Sequence, residues 1–413
     1  MKRLLFTALL STALIGSATP ALAGGRHHDL RFATYNLSLN RPSEGLLREH
    51  LANPAVDDVY RRQARNVAEV IQRAAPDVVL INEFDFDPDA ARLFADNFLA
   101  VGQNGARGQR YPYRYVAPSN TGIASGFDLN NNGVIDTTPG DGSYGDDSFG
   151  FGLFPGQYGM VVYSKHPIDT RAVRTFQHFK WKDMPGNLLP ADFYSAEEQA
   201  ALRLSSKSHW DVPVKIGGRT VHFLASHPTP PTFDGAEDRN GRRNHDEIRF
   251  WADYITPGRA SSYIYDDRGR RGGLRAGAAF VIAGDQNADP NDGDSTGDAI
   301  DQLLDHPLIN TRVTPDSAGG PEAAALQGGA NLTHTGDPAY DTADFSDTAP
   351  GNLRADYVLP RKGLKVRDAG VFWPVRADPL SRLSGVYSPE WAAVNGFPTS
   401  DHRLVWLDLK LRH

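Results

Sequence analysis

The sequence predicts an α/β protein whose sheets are covered by helices, and three observations predict it. Seven short apolar runs recur along the chain, each ending in polar residues. Two intervening stretches repeat apolar residues at helical spacing. Long glycine- and asparagine-rich segments separate these units and carry too few apolar residues for cores of their own.

In chain order the runs are 31–36 (RFATYN), 77–83 (DVVLINE), 158–164 (YGMVVYS), 220–227 (TVHFLASH), 280–287 (FVIAGDQN), 354–359 (RADYVL) and 403–409 (RLVWLDL). Their near-continuous apolar centres read as buried strands, partly covered on both faces. Val67, Val70, Ile71 and Ala74 fall at i, i+3, i+4, i+7, and Ile248, Trp251, Ala252 and Ile255 repeat that spacing, the pattern of a helix with one apolar face. Both precede strands, so helix-covered sheets are the natural layering. The stretches near 119–157, 257–277 and 318–351 read as loop insertions, and long loops in compact proteins tend to be functional. No linker or fixed-period repeat divides the chain, so residues 24–413 are expected to form a single domain despite exceeding the usual limit of about 250–300 residues for one core.

The 413 residues include 43 Lys and Arg against 50 Asp and Glu, 40 glycines, 28 prolines and no cysteine. Disulfides, thiolate metal sites and cysteine nucleophiles are therefore excluded. Met1, Lys2 and Arg3 precede an apolar run from Leu4 to Gly16 and then Ala21-Leu22-Ala23. A positive head, a short apolar centre and small residues at an A-x-A site are the parts of a secretory signal peptide over residues 1–23; the alternative is an uncleaved anchor, although the run is shorter than the ~20 residues a span needs. Cleavage after Ala23 leaves 41 basic against 50 acidic residues. The remainder has no second apolar run long enough for a bilayer, so a secreted or periplasmic protein without stable membrane insertion is expected. The acid excess argues against holding polyanions by bulk charge, which needs clustered Lys and Arg.

Metal- and phosphate-binding types collect at the strand ends: Asn36, Glu83, His227, Asp285, Asn287, Asp356, Asp401 and His402. In open α/β sheets, ligand sites form where strands finish. Asp285 and Asn287 are two apart, so an extended segment would point both to one face. Singly, each residue has an ordinary reading: Glu83 as a salt-bridged strand end, Asn36 and Asn287 as turn-formers, His227 as a satisfied histidine before Pro228.

Six motifs occur in one order: TYNLS (34–38), INEFD (81–85), SHP (226–228), GDQNADP (284–290), ADYVLP (355–360) and SDHRLV (400–405). On these the chain resembles the endonuclease/exonuclease/phosphatase superfamily, the deoxyribonuclease-I-like metal-dependent phosphoesterases. The resemblance implies a four-layer sandwich of two packed mixed β-sheets covered by helices. It implies Glu83 as the principal carboxylate ligand of a divalent metal (Mg²⁺ or Mn²⁺, with Ca²⁺ also open), Asn36 beside it and Asp401 near it. Asp285 would activate the attacking water, and Asn287 and His227 would contact the phosphate. His402, next to Asp401, would complete the site, and Asp356 would support the metal or orient a histidine. The chemistry needs such groups because a nucleophile must approach an already negative phosphorus, whose charge a cation and fixed donors offset.

Two features lie outside these motifs. Residues 237–247 (EDRNGRRNHDE) place Arg239, Arg242, Arg243, Asn244 and His245 together, read as a substrate clamp suited to bidentate phosphate contact or as a solvated loop. Asp128, Asn130, Asn132 and Asp136, with Gly133 at the turn, reproduce the first nine places of an EF-hand-type loop. Pro139 at position 12 has no carboxylate, so the readings are a structural Ca²⁺ closed by Asp141, Asp146 or Asp147, or a metal-free turn. The expected function is a metal-dependent phosphoesterase acting on a phosphorylated small molecule, a phospholipid headgroup or nucleic acid, with no protein partner evident. The alternatives are an extracellular nuclease and a non-catalytic extracellular binding protein of the same fold.

Overall fold

Residues 29–411 of the computed structural model are described; the expected leader at 1–23 lies outside them. They contain β1 (Leu30–Leu39), β2 (Val78–Phe84), β3 (Tyr113–Tyr115), β4 (Met160–Ser164), β5 (Arg174–Thr175), β6 (Trp210–Ile216), β7 (Arg219–Ala225), β8 (Ala279–Asp285), β9 (Ala343–Asp344), β10 (Asn352–Leu353), β11 (Asp356–Pro360), β12 (Lys365–Val371) and β13 (Val405–Lys410). All seven apolar runs lie on strands. One sheet has the order β12-β13-β1-β2-β4-β3, the other β11-β8-β7-β6-β5, and β9 and β10 form a small hairpin pair. β1 runs parallel to β2 and β7 parallel to β8, while their other neighbours are antiparallel.

The alternation of side chains along each strand builds the layers. Phe32, Leu80 and Val162 of the first sheet meet Phe223, Val281, Ala283 and Val358 of the second in a shared apolar interface. The residues between them point outward: Ala33, Tyr35, Val79 and Ile81 pack under the helix Val59–Ala74, and Leu224, Phe280, Ile282 and Tyr357 under the helix Arg239–Ile255. Three apolar interfaces among four layers make the α/β sandwich.

The helix Val59–Ala74 starts where the Asp58 side chain accepts from Arg61 N and ends at Ala75 in a left-handed conformation, φ 50°; its buried face includes Val67, Val70, Ile71 and Ala74. The second helix begins at Arg239, nine residues before the Ile248 periodicity suggested, and absorbs most of the charged run read as a loop. The 318–351 stretch also carries regular structure, with a helix at Gly319–Gln327 and the strand β9. Among the described residues no helix is long and apolar enough to cross a membrane.

Candidate active site

The same alternation places the polar residues. Continuing inward positions past Phe32, Leu80, Ala283 and Val358 arrive at Asn36, Asn82, Asp285 and Asp356, so the apolar interface gives way to a polar layer at one end of the crevice. Asn36 pairs with Asn82 and Asp356 with Asp285 in register. Beyond Asn36 the β1–β2 register shifts, and Ser38 and Glu83 both take positive φ, 47° and 55°. Such conformations cost about 1–3 kcal/mol each for non-glycine residues. The bulge turns the Glu83 carboxylate away from the ladder, where Asn40 Nδ2 donates to Oε2 at 3.0 Å.

Asp285 is 1 % exposed and draws groups from both sheets. Its Oδ2 accepts from Asn36 Nδ2 at 3.1 Å and lies 3.3 Å from His227 Nε2 and 3.5 Å from His402 Nε2. His402 Nδ1 is 2.8 Å from Asp356 Oδ2, which also accepts from Thr342 Oγ1 at 2.9 Å. His402 thus bridges two carboxylates. Burial works against its charge, but Asp356 and then Asp285 outweigh it, raising its pKa well above the ordinary histidine value. Burial likewise opposes ionisation of Asp285, yet His402 and His227 hold its carboxyl well below the usual range. His227 takes the opposite state: burial, then the nearby Lys207, lower its pKa to about 4, and its Nδ1 is buried without a partner. Asp401 Oδ1 accepts from Ser38 Oγ at 3.1 Å and Ser400 Oγ at 3.3 Å, with Asn395 Nδ2 at 3.4 Å.

Among the described residues, Asp285, Asp356 and His402 are the one group of three whose ligand atoms all lie within 4.8 Å of one another, a spacing that could hold a metal. Both ring nitrogens of His402 face carboxylates there, an arrangement suited to holding a proton. Glu83 is different. Enclosure by protein, then the neighbouring Asp401, push its carboxyl up to about 7. Its carboxylate oxygens are the hard donors that Mg²⁺ and Mn²⁺ prefer; the Asn36 oxygen alongside accepts from Ser38 N at 3.1 Å and has a second lone pair to offer.

Asn36, Glu83, His227, Asp285, Asp356, Asp401 and His402 gather at this end of the crevice. Asn287 does so for another reason than its spacing, because β8 stops at Asp285 and Asn287 turns left-handed, φ 50°. Its backbone N donates to Asp285 Oδ1 at 2.9 Å and its Nδ2 to Pro228 O at 3.1 Å; it braces the two loops.

The proposed clamp is corrected more fully. Arg243 points inward, its guanidinium donating to Leu204 O, Phe149 O and Arg203 O at 2.6–2.9 Å. Asn244 is fully buried and donates to Thr229 O and Gln286 O. Arg239 pairs with Glu237, and His245 with Asp246 at 3.0 Å. Of the three arginines, only Arg242 has a guanidinium that makes no hydrogen bond or ion pair among the described residues. In the EF-hand-like stretch the Asp128 oxygens accept from Asn132 N and Gly133 N, Asn130 Oδ1 from Asn132 N, and Asn132 Oδ1 from Val134 N. Asp136 Oδ1 accepts from Thr138 N, so the oxygens of all four residues already fold back on their own backbone.

Sequence reasoning missed Asn82, whose Oδ1 accepts from Asp285 N at 3.1 Å, although it lies inside the INEFD motif. It also missed Thr342 and Lys207, which no motif covers.

A two-sheet sandwich with carboxylates, amides and imidazoles meeting at its strand ends defines a class built to hold a cation and an anion together. A family model described as the endonuclease/exonuclease/phosphatase family matches residues 33–402, and the chain belongs to that family. Its members are generally metal-dependent phosphoesterases. No curated protein matches the chain. Among solved structures, it is similar to an endonuclease/exonuclease/phosphatase from Beutenbergia cavernae, with 19 % identity over 93 % of this chain and 72 % of that one, TM-score 0.47. It is also similar to sphingomyelinase C from Streptomyces griseocarneus (16 % identity, 92 % of this chain and 99 % of that one, TM-score 0.43) and to a beta toxin from Staphylococcus aureus (14 % identity, 92 % and 99 %, TM-score 0.44).

Proposed function

We propose that this protein is an exported, divalent-metal-dependent phosphoesterase that hydrolyses phosphomonoester or phosphodiester bonds by direct attack of water. The observation that carries the reading is the pairing, in one crevice, of the Glu83 carboxylate with the chain Asp285–His402–Asp356, in which each ring nitrogen of His402 faces a carboxyl oxygen. When bound at Glu83 and Asn36, Mg²⁺ or Mn²⁺ would polarise a phosphoryl oxygen and offset its charge. Asp285, kept ionised by its donors, accepts the hydrogen bond of the attacking water and aligns it. His402 carries a proton at Nε2 and donates it towards phosphoryl oxygen as charge develops there, while Asp356 fixes the ring. Neutral His227 carries its one N–H at Nε2, 3.3 Å from Asp285 Oδ2, and would present that donor to the phosphate. Export rests on the leader-like residues 1–23.

The test is hydrolysis of p-nitrophenyl phosphate, bis(p-nitrophenyl) phosphate, DNA, RNA and sphingomyelin with Mg²⁺, Mn²⁺, Ca²⁺ or EDTA, with Glu83→Ala and His402→Ala as controls. Metal-dependent turnover of at least one substrate, lost in both variants, is expected. No turnover by the parent, or turnover surviving both substitutions, sinks the reading.

A further inference from the structure

Lys207 is 6 % exposed, and among the described residues its ammonium makes neither a hydrogen bond nor an ion pair within 4.0 Å. The stem is enclosed, but the ammonium nitrogen is not among the fully buried polar atoms left without a partner, so the charge stays open to an incoming anion. Its position is fixed by the sheet. Trp210 pairs with Ala225 where β6 meets β7, so Lys207, three residues before Trp210, and His227, two after Ala225, leave the same end of the sheet on neighbouring strands.

The surrounding structure holds this segment from both sides. Glu247 accepts from Ser206 N at 2.8 Å and from Thr229 N at 2.6 Å, cross-linking the residues just before Lys207 and just after His227. Both of its oxygens are thereby occupied by backbone. From the other side Asn120 N donates to Lys207 O at 2.8 Å and Asn120 Nδ2 to Ser205 O at 2.7 Å. Gly150 passes so close that a Cβ there would clash with Ser206 O. Asn120 and Gly150 belong to the long 119–157 insertion. Lys207 also helps depress the His227 pKa, and its own is lowered by burial against the pull of Glu247, Glu83 and Asp285.

We propose that Lys207 is a fixed cationic contact for the substrate's phosphate beside His227, and that the 119–157 insertion serves to hold it there. This rests on the phosphoesterase reading and names a residue for it outside the six motifs. A lysine ammonium offers a phosphate three donors and a compact charge, and the phosphate supplies the partner that the protein withholds.

The test compares the parent, Lys207→Met and, as a control far from the site, Lys410→Met. Inorganic phosphate is titrated calorimetrically in Mg²⁺ buffer, melting temperatures are recorded, and kcat and KM are measured on bis(p-nitrophenyl) phosphate. Lys207→Met is expected to bind phosphate about 30-fold or more weakly, the effect of removing one partner of a buried charged contact, with a melting temperature equal to or above the parent's. Lys410→Met should match the parent. Unchanged phosphate affinity in Lys207→Met, no phosphate binding by the parent, or a lowered melting temperature in Lys207→Met overturns the assignment. Phosphate binding that depends on Lys207 in a protein that hydrolyses no ester would leave this contact standing and remove the esterase reading instead.

Discussion

The Asn36 amide, on β1, donates to Oδ2 of Asp285, on β8, across 3.1 Å, and so ties the two sheets together at the mouth of the crevice. Both side chains are buried, and the acceptor is ionised. Replacing Asn36 with Ala should cost about 1.5–3 kcal/mol, the range for hydrogen bonds to charged groups, measured by urea unfolding in EDTA. A change below a few tenths of a kcal/mol would show that the cross-sheet bond is unimportant to the fold.

Glu83→Gln keeps the shape of the side chain and removes its charge. Ligand binding to the native state raises stability by mass action, so Mg²⁺ titration should raise the parent's melting temperature and leave the Gln variant's unmoved. An equal rise in both would relocate the metal away from Glu83.

Asp356→Asn leaves His402 without the carboxylate that most favours its protonation. Activity should fall roughly 10²-fold or more, the scale of a lost acid–base contribution, in kcat rather than KM. Nearly wild-type kcat would deny the Asp356–His402 pair a part in the reaction.

Arg243→Ala leaves the carbonyls of Leu204, Phe149 and Arg203 without their donor and opens a cavity beneath the second helix. A loss of about 3 kcal/mol in unfolding free energy is expected, comparable to breaking a buried charged contact, with KM unaltered in the folded protein. Arg242→Ala should leave stability unchanged. A raised KM with native stability in Arg243→Ala would restore the clamp.

His209 predicts an acid limb in stability. Its imidazole is enclosed by the Phe250 and Trp251 rings. Nε2 donates to Glu247 O at 2.9 Å and Nδ1 accepts from Ser205 Oγ at 3.0 Å, so the ring is neutral. Burial lowers its pKa to about 4, the Glu247 charge pulling the other way. Between the unfolded value near 6.5 and about 4, the unfolded chain binds a proton that the fold refuses, so stability present above pH 6.5 is lost as pH falls. The loss is on the order of 3 kcal/mol at ~1.4 kcal/mol per unit. His209→Gln should flatten that slope between pH 7 and pH 4.5; an unchanged slope would assign the acid limb elsewhere.

The strands were legible where burial on both faces leaves an unbroken apolar run, as in VVLI of β2. β12 escaped because its KVRDAGV sequence is an edge strand with mostly exposed side chains at its start. β6 carries Trp210, Val212, Val214 and Ile216 in strict alternation, a usable signal interrupted by Pro213. The strand-end carboxylates and imidazoles were legible because chain order and fold end coincide there. Arg243 was misjudged because a charged run was read as exposed, whereas the helix phase carries every third or fourth residue inward. Lys207 left no signal, since its burial comes from Asn120 and Glu247, far away in sequence.

The polar layer at the crevice mouth draws on both sheets. Asn36, Glu83, Asp401 and His402 come from one, and His227, Asp285 and Asp356 from the other. The site is thus a joint product of two jaws, and neither jaw carries a working share alone. Chemistry of this kind reports directly on how the jaws close: slackening their apolar contact around Phe32 and Phe223 would blunt turnover while every reactive side chain stayed in place on its own strand.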